Sequence, residues 1–418
     1  MKNVLFASLL LFTALAQAQT LTIGECYTLA EQHYPLTKQR NLIEKSKEYS
    51  LQNLSKGYLP QVSINGQATY QSAVTQVPIQ LPGMEIPTIS KDQYKVYGEI
   101  NQSLYDGGVI RQQKEIQEAN TVAETQKLEV ELYKVKERVN QLFFGVLLVD
   151  EQIKQTTLLK NDLQLGLRKA EAAFNNGTAF KSSLDVLKAE LLKADQRTAE
   201  LDALRKAYTD MLGLFIDRQL NEQTVFEKPA SVSLSQEINR PEIRMYNSQR
   251  IGVDAQRKLL SARTLPKVSL FAQAGVGRPA LNMLSNDIQS YYIGGLRLSW
   301  SLSGFYTIKK EKALLDLNQQ TIDLQRETFL FNTNFTLKQQ NSEINKYNSL
   351  LLTDDQIVAL RTSVKTAAAA QLENGVINTN DYMREVNAED QARQNKIIHE
   401  IQLLMAQYAQ QNTTGNSL

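Results

Sequence analysis

The pentapeptide Leu59-Pro60-Gln61-Val62-Ser63 recurs, with one residue changed, as Leu265-Pro266-Lys267-Val268-Ser269. Pro35 and Pro241 precede the two copies at the same distance, so the two segments align without a gap. A repeat at a fixed offset is typical of a fold built from duplicated units. Each copy leads from a helical pattern, through the Leu-Pro break, into an alternating strand pattern. The sequence therefore predicts a chain with an internal two-fold repeat.

The composition of the 418 residues argues against several classes of function. Lysine and arginine (46) nearly balance aspartate and glutamate (44), so a nucleic-acid partner is not expected. Two histidines and one cysteine offer little for a metal site, a disulfide framework or a Ser-His-Asp arrangement. The sequence has no phosphate-binding Gly-Lys-Ser/Thr loop. We therefore expect no cofactor, no metal and no enzymatic activity.

Residues 1–18 have the pattern of a secretory signal peptide. Lys2 precedes an apolar run over residues 4–15, and Ala16-Gln17-Ala18 fits a small-residue cleavage site. Cys26 does not directly follow this site, as the modified cysteine of a lipoprotein would, so we expect a small buried residue there. No later stretch has the roughly 18 apolar residues of a transmembrane helix. A chain of this kind would cross a membrane only as a closed barrel.

Two long proline-free segments, 109–175 and 308–373, are predicted to be helices. In the first, apolar residues recur at alternating spacings of three and four, as in the seam of a coiled coil. In the second, apolar residues recur every seven positions. The seam residues are Leu128, Leu132, Val135, Val139, Leu142, Val146, Val149 and Ile153 in the first segment, and Leu330, Leu337, Ile344, Leu351 and Val358 in the second.

Both long helices are predicted to end just before a glycine, Gly177 or Gly375, and a shorter helix follows each one. Ser182-Ser183-Leu184-Asp185 has the spacing of a capping box, with aspartate in place of glutamate or glutamine, and residues 378–381 are analogous. Each half thus contains a helical hairpin. The shorter helices are expected over residues 183–218 and 381–411, and an earlier helix in each half over 23–56 and 241–263.

Two strand-like runs separate the earlier helix from the long helix in each half. In the last run, apolar residues from Tyr292 to Trp300 alternate with Arg297, Ser299 and Ser301. Runs of about 10–13 residues with this alternation suit a tilted crossing of a bilayer. The alternative is an ordinary sandwich. The runs cover residues 62–74, 94–105, 268–277 and 291–302, with external loops over 75–92 and 279–289. Tyr70, Tyr94, Tyr97, Tyr105, Tyr291, Tyr292 and Trp300 would form an interfacial aromatic belt.

Four strands per chain cannot close a barrel, because single-chain bacterial barrels begin at about eight strands. Open sheet edges are not tolerated in lipid. Identical protomers are the simplest source of further strands, and three copies would supply twelve. The predicted fold class is therefore an α+β membrane protein with a trimeric 12-stranded β-barrel, to which each chain contributes four strands.

The chain resembles the TolC-like outer membrane efflux proteins over nearly all of its expected mature length. The resemblance rests on the duplicated helix–Leu-Pro–strand segments, on Leu104-Tyr105-Asp106-Gly107-Gly108 where a strand enters the long helix, and on the Asn-Gly turns ahead of residues 185–187 and 381–383. It implies a homotrimer in the outer membrane, continued into the periplasm by a long α-helical barrel of coiled-coil hairpins. A periplasmic adaptor protein and an inner-membrane transporter would be the partners.

The resemblance also implies functional residues at the hairpin tips. Adaptor contacts are expected at Gly177, Thr178 and Ala179 in the first hairpin, and at Gly375, Val376 and Ile377 in the second. The family's pore constriction carries acidic residues just beyond the second turn, which would be Asp381 here, with Asp185 as a looser equivalent in the first half. Arg384 stands where the family pattern has a second acid. Leu372 and Ile377 replace a tyrosine and an arginine of the closing network of well-known relatives.

Alternatives remain open at this point. Asp185 and Asp381 could simply stabilise the first turn of a helix, by about 0.3–1 kcal/mol each. The favoured function is the exit duct of a tripartite efflux system for small molecules. A type I protein secretion duct is one alternative, and a periplasmic coiled-coil structural protein without a pore is another. The expected layout is a signal peptide (1–18), a first repeat (19–218), a linker (219–240), a second repeat (241–411) and a C-terminal tail (412–418).

Overall fold

The computed structural model describes residues 20–76, 88–232, 235 and 237–416. The expected signal peptide, and residues 77–87 of the first expected loop, lie outside these ranges. Seven α-helices are observed there: α1 Ile23–His33, α2 Gln39–Ser55, α3 Val109–Asn175, α4 Lys181–Ile216, α5 Pro241–Arg263, α6 Gly304–Glu373 and α7 Thr379–Thr414. The strands in these ranges are β1 Thr20–Leu21, β2 Gln61–Tyr70, β3 Asp92–Tyr105, β4 Val225–Phe226, β5 Lys267–Arg278 and β6 Gln289–Ser299.

The contacts divide the chain into two compact units, and each unit takes segments from both halves of the sequence. The sheet unit comprises Lys38–Lys127 and Glu242–Glu327. The helical unit comprises residues 20–37, 128–241 and 328–416. Since α3 and α6 each begin in the sheet unit and end in the helical unit, the sequence repeat does not coincide with the compact units. In the part of the chain described, no helix is both long and apolar enough to span a bilayer.

The single helix expected over residues 23–56 is wrong, because the chain breaks at Pro35. Tyr34 ends α1 with φ −59° and ψ 127°, outside the helical region. A residue before proline is pushed away from helical angles by the proline ring. A short 3-10 turn over Pro35–Lys38 then leads into α2. This break falls where the chain passes from the helical unit to the sheet unit.

The predicted seam of α3 lies in the core of the helical unit. Val139 and Val146 are completely buried, and Leu128, Leu132, Val135 and Val149 are nearly so. Leu142 and Ile153 are only half-buried. The two largest fully buried side chains, Phe143 and Phe144, lie beside the seam rather than in it. The core around α3 is therefore wider than a two-stranded coiled-coil stripe, and it includes residues of α1, α4, α7 and β4.

Gly145 makes part of this packing possible. A methyl group added at Gly145 would lie 3.0 Å from the ring of Tyr208 on α4, which is closer than most side chains tolerate. The absence of a side chain in the middle of α3 lets the two helices approach. This proximity offsets the loss of helix propensity that glycine causes, about 1 kcal/mol relative to alanine.

The expected linker, 219–240, contains structure that periodicity does not predict. Val225–Phe226 pairs in parallel with Thr20–Leu21, so the start of the described chain is joined to the segment between the two halves. Phe226 packs edge-on against Phe143 at 5.5 Å between ring centroids. Cys26, next to this pairing, is completely buried, as expected. Burial raises the pKa of its thiol to about 12.

The expected C-terminal tail, 412–418, begins within a helix. Helix α7 continues to Thr414 and is closed by Gly415 in a left-handed conformation with φ 82°. A side chain at Gly415 would meet the backbone of Asn239 and Arg240 at 2.7 Å. Arg240 also donates to the carbonyl oxygen of Asn412 at 3.1 Å. These contacts hold the end of α7 against the segment that precedes α5. The helix therefore continues beyond residue 411, where it was predicted to end.

Candidate functional site

The four longer strands form one antiparallel sheet in the order β2-β3-β5-β6. Strands β3 and β5 pair over their length, so the sheet joins the two sequence halves at its centre. Strands β2 and β6 lie at its two edges, and each pairs on one side only among the residues described. The strand ends differ by a few residues from the expectation. β2 stops at Tyr70 rather than at residue 74, and β6 spans 289–299 rather than 291–302.

The register shows one continuous apolar face on this sheet. Val62 lies opposite Ile100, and Leu270 opposite Leu296. Because side chains alternate along each strand, these residues share a face with Ile64, Val96 and Val276. The face is exposed in the single chain: Ile64 is 84% exposed and Tyr292 83% exposed. An apolar surface of this extent on a soluble monomer would be unusual and marks an interaction surface.

The opposite face of the sheet is polar. At its centre, Glu99 accepts hydrogen bonds from Gln273 at 2.8 Å and from Arg297 at 3.1 Å. These three residues come from β3, β5 and β6, so the contacts tie three strands together. The guanidinium of Arg297 also lies 4.5 Å from the centre of the Phe271 ring. One face of the sheet is thus apolar and the other polar, as the alternation of β6 predicts.

Two of the expected belt residues do not face the apolar side. Tyr97 and Tyr291 lie opposite Gly275 on the polar face, one on each neighbouring strand. A methyl group at Gly275 would lie 2.5 Å from Cβ of Tyr97. Aromatic residues that flank a strand glycine cover the space its missing side chain leaves. The expected belt is therefore smaller than the sequence suggested, since proximity to a strand end did not show which face a residue occupies.

The turn between β3 and α3 depends on Asp106 and Gly107. One Asp106 carboxylate oxygen accepts from the backbone N–H of Gly108 at 2.8 Å, and the other accepts from Ile110 at 2.7 Å. Gly107 has φ 78°, which favours glycine. An added methyl group there would lie 2.8 Å from the carbonyl oxygen of Ala262. The Asp-Gly-Gly motif therefore converts a strand into the long helix within a few residues.

The two hairpin tips have the same backbone hydrogen bonds. In the first, the N–H of Thr178 donates to Ala173 at 2.9 Å; in the second, the N–H of Val376 donates to Gln371 at 2.8 Å. Gly177 and Gly375 adopt φ 72° and 71°. This is the Schellman pattern, in which a left-handed residue lets the chain satisfy the last carbonyls of a helix. Gly177, Thr178, Gly375 and Val376 are exposed, while Ala179 and Ile377 are half-buried.

The helices that follow the two tips begin differently. Asn378 caps α7, because its side chain accepts from the N–H of Asp381 at 3.0 Å. The capping box expected at 182–185 is wrong, since α4 already begins at Lys181 after Phe180, and Phe180 provides no side-chain cap. Asp185 therefore lies beyond the first turn of α4, whereas Asp381 lies within the first turn of α7.

The structure brings Asp381 and Arg384 together and does not add Asp185 to them. Arg384 lies one turn from Asp381 on α7, with 3.9 Å between Nη1 and Oδ1. Its Nε also donates to Glu385 at 3.1 Å. Asp185 is exposed and forms no ion pair within the described ranges. In the single chain, the acid expected at the constriction thus lies within ion-pair distance of the arginine that departs from the family pattern.

A charged cluster that sequence reasoning missed lies on the shafts of the hairpins. Glu389 on α7 is only 4% exposed, yet it accepts from Lys365 at 3.1 Å and from Thr362 at 3.0 Å, both on α6. Arg393 also bonds to Glu389. Burial alone would raise the pKa of the Glu389 carboxyl, but the hydrogen bonds from Arg393 and Lys365 lower it below its usual value. Glu389 therefore stays ionised and ties α7 to α6.

Two ion pairs of opposite polarity connect α3 with α6. Asp162 pairs with Lys365 at 2.9 Å, and further toward the tips Lys169 pairs with Glu373. Since the acid lies on α3 in one pair and on α6 in the other, a displacement of one helix along the other would bring like charges together. Nothing in the local sequence identifies these pairs, because the partners are about 200 positions apart.

The neighbouring acid, Asp390, faces the other hairpin. It accepts a hydrogen bond from Gln155 on α3 at 3.0 Å and lies 3.9 Å from Arg197 on α4. Two consecutive acids of α7 therefore bind different helices, Glu389 to α6 and Asp390 to α3 and α4. The relative position of the two hairpins of one chain is set by polar contacts as well as by the apolar cluster around Met383 and Val386.

Comparison with known proteins gives one family and several solved structures. The family model described as "Outer membrane efflux protein" matches residues 31–215. No curated protein matches the chain. Three solved channels each align over 94% of this chain. OprN, described as an outer-membrane channel, gives a TM-score of 0.68 at 13% identity over 90% of its own length. The outer membrane protein VceC of Vibrio cholerae gives a TM-score of 0.66 at 11% sequence identity, over 96% of its own length. The MtrE outer membrane channel of Neisseria gonorrhoeae, solved in its open state, gives a TM-score of 0.64 at 13% sequence identity, over 88% of its own length.

Identities this low establish a shared fold and nothing finer. The shared fold is a mostly helical chain with a small sheet.

Proposed function

We propose, from the confirmed resemblance of this chain to the TolC-like outer membrane efflux proteins, that it is the outer membrane exit duct of a tripartite efflux system. Small molecules would pass through it from an inner-membrane transporter and a periplasmic adaptor to the outside. The duct itself would catalyse no reaction. Its working parts would be the sheet, the long helices and the hairpin tips.

The observation that carries this proposal is the exposed apolar face of the sheet. Ile64, Tyr292 and their neighbours on that face would be unfavourable in water, at about 25 cal/mol for each Å² of apolar surface left exposed. Contact with lipid acyl chains removes this penalty. The polar face around Glu99 and Arg297 would then line a water-filled lumen, as in other outer membrane barrels.

The two sheet edges support a trimer. In lipid, the free backbone groups of β2 and β6 would each cost several kcal/mol if left unpaired. Pairing β6 of one copy with β2 of the next satisfies both edges, and three copies give a closed barrel of twelve strands. Two similar halves in each of three chains would produce six-fold pseudo-symmetry. The internal repeat would then be a consequence of how the duct is built.

The hairpin tips would form the periplasmic end. Their exposed residues include apolar side chains, Phe180 and Val376, that a partner could cover. Adaptor contacts are therefore proposed at 177–179 and 375–377. Three copies of Asp381 would surround the constriction, each beside its Arg384, with Asp185 contributing less because it is farther along its helix. Cation preference would then depend on how Arg384 is oriented in the assembled trimer.

The test of the proposal is a bilayer recording on purified trimer. A heat-sensitive trimer in outer membrane fractions that conducts ions supports the proposal. A soluble elongated monomer without conductance would instead favour a periplasmic coiled-coil protein. Export of a protein substrate, rather than small-molecule resistance, after deletion and complementation would favour a type I secretion duct.

The role of the acidic ring is tested in the same recording. Replacing Asp381 by asparagine removes three charges from one constriction, and we expect cation conductance to fall by roughly twofold. Asp202, an exposed acid in the middle of α4, supplies the matched control. If neither Asp381→Asn nor Asp202→Asn changes conductance or ion selectivity, the hypothesis of an acidic ring at Asp381 is wrong. The proposal that the protein is an exit duct would not be affected.

A further inference from the structure

The two ends of the sheet differ in charge. The end where strands meet helices, here called the strand–helix junction, carries eight lysines and arginines against three acids. The opposite end carries two of each in the ranges described. The junction comprises residues 56–60, 104–115, 263–267 and 299–312, and the opposite end comprises 70–76, 88–94 and 276–291. An imbalance confined to one end of an apolar sheet suggests a surface with a negative charge beside it.

Five of the basic side chains at the junction are exposed and have no acidic partner among the described residues. They are Lys56 ahead of β2, Arg263 and Lys267 on either side of the Leu-Pro break, and Lys309 and Lys310 in the first turns of α6. Two of the three acids are already engaged. Asp106 caps the start of α3, and Glu115 pairs with Arg111 at 3.3 Å. The positive charge of the junction is therefore available to another molecule.

Exposed aromatic residues lie at the strand ends next to these basic side chains. Tyr58 precedes β2, Tyr105 ends β3, and Trp300 and Tyr306 follow β6. The indole N–H of Trp300 donates to the carbonyl oxygen of Thr264 at 3.0 Å, while more than half of the residue is exposed. Aromatic residues with one satisfied polar end are typical of the boundary between acyl chains and headgroups. The basic side chains follow directly on the helical side of this boundary.

We propose that the strand–helix junction binds the anionic headgroups of phospholipids in the adjoining membrane leaflet. This inference rests on the proposed function, because it requires the sheet to lie in a bilayer. Lysine and arginine extend aliphatic stems along an apolar boundary and place the charge among the phosphates. The adjoining apolar and aromatic surface selects a lipid as the source of the phosphate, since a free phosphate ion would gain nothing from it.

Trp300 is the only tryptophan in the chain, so its fluorescence reports on this junction alone. The trimer is reconstituted into vesicles that contain phosphatidylcholine with a minority of phosphatidylglycerol. In one sample the phosphatidylglycerol has brominated acyl chains, which quench nearby tryptophan, and in the other the phosphatidylcholine has them. The ratio of the two quenching signals gives the local enrichment of the anionic lipid. We expect an enrichment of roughly fivefold for each lysine that contacts a headgroup.

Variant K309Q/K310Q should lower this enrichment at least fivefold while it leaves the trimer intact. Variant K181Q/K338Q is the matched control, because it removes two exposed lysines that lie in the helical unit, and it should leave the enrichment unchanged. High salt on the unmodified protein tests the same charge without a substitution and should also lower the enrichment. Inorganic phosphate at low millimolar concentration should not.

The outcomes separate this inference from the proposed function. Quenching by both lipids in proportion to their bulk amounts would overturn the lipid site and leave the membrane location standing. No quenching by either lipid would overturn the membrane location itself. Displacement of the anionic lipid by low millimolar phosphate would assign the basic residues to a free-phosphate site and overturn the choice of a lipid.

Discussion

The two long helices, α3 and α6, have similar lengths and similar apolar content, but they differ in what covers them. In the helical unit, the seam of α3 is buried by helices of the same chain, and Val139 and Phe143 are completely inaccessible. On α6 the predicted seam is buried at Leu337 and Ile344, yet Phe331 and Phe335 are about two-thirds exposed. At 100° per residue, this exposed stripe lies roughly 140° around the helix from the seam.

The difference leaves one apolar side of α6 uncovered by the residues that the structure describes. The stripe follows positions that fit a coiled-coil spacing, with exposed leucine and phenylalanine residues at Leu317, Phe331, Phe335 and Leu352. A helix that is apolar on two sides is normally packed on two sides. In the proposed trimer a helix of another copy would cover this side of α6, whereas most of the α3 seam between Leu128 and Val149 is already covered by its own chain.

The largest expected effect comes from charging the α6 stripe. Phe331→Asp combined with Phe335→Asp should abolish trimer formation, because each aspartate would be buried at three interfaces at a penalty of several kcal/mol. Helix content should persist, since neither position belongs to the core of the single chain. Size-exclusion chromatography in detergent and circular dichroism measure the two properties separately.

Asn332→Asp combined with Gln339→Asp provides the control for this experiment. It adds the same two charges at exposed positions that lie roughly 60–80° around α6 from the centre of the stripe. The comparison between the two helices fails if the stripe variant still forms trimers, or if the control variant loses them equally.

The next largest effect should come from α3. Phe143→Ala removes a fully buried ring and should lower the free energy of unfolding by about 3–5 kcal/mol. Unlike the stripe variant, it should weaken the isolated chain and the trimer together. Thermal unfolding followed by circular dichroism is the measurement, and Phe335→Ala is the matched truncation on α6. If Phe143→Ala and Phe335→Ala had the same melting temperature in the unassembled chain, the two phenylalanines would contribute equally to the core of the single chain, and the comparison between α3 and α6 would be wrong.

The long helices and the strands could be read from the sequence because their signals are local and repeated many times. Val109–Asn175 has no proline and an unbroken apolar period, and both tips carry a glycine with the φ that the hairpin requires. Pro35 shows the limit of such reading. Pro35 aligns with Pro241 in the sequence repeat, and the residues around it have a helical pattern. That pattern does not show that the residue before a proline is pushed out of helical backbone angles.

The features that were missed depend on pairs of distant residues. The pairing of Thr20–Leu21 with Val225–Phe226 is too short to have a period. The contacts of Lys365 with Asp162 and Glu389 require the rotation and register of three helices, which no sequence spacing provides. The capping box predicted at residues 182–185 is not formed, because α4 already begins at Lys181. The spacing of a capping box predicts a cap only when the first residue of the helix is known.

A smaller effect should distinguish the polar contacts of the two hairpins. Glu389→Gln removes a charged acceptor from α7 and should lower stability by about 2 kcal/mol, the usual range for hydrogen bonds to charged groups. Glu151→Gln on α3 is the control, because Glu151 forms only a surface pair with Lys154 and should change stability by less than about 1 kcal/mol. The temperature of hairpin unfolding measures both.

The same substitution predicts a pH dependence. The pKa of Glu389 is lowered by its cationic partners, so its contribution to stability is complete above the usual value of 4.5 and is lost as the pH falls through the lowered pKa. The unmodified protein should therefore lose stability more steeply below pH 4.5 than Glu389→Gln does. Parallel acid profiles for the two proteins would contradict the role assigned to Glu389.

The smallest effects should appear at the tips, where the two hairpins are alike. Gly177→Ala and Gly375→Ala should each cost about 1 kcal/mol, because alanine is strained at positive φ while the space around both glycines is open. Amide hydrogen exchange at Thr178 and Val376 should then be roughly fivefold faster in the respective variants. Gly166→Ala is the control with the opposite sign, since alanine inside a helix stabilises it by about 0.5–1 kcal/mol. If the two tip variants differed by more than the control shifts, the tips would not be equivalent, and the asymmetry between the two halves would extend from the helix shafts to the turns.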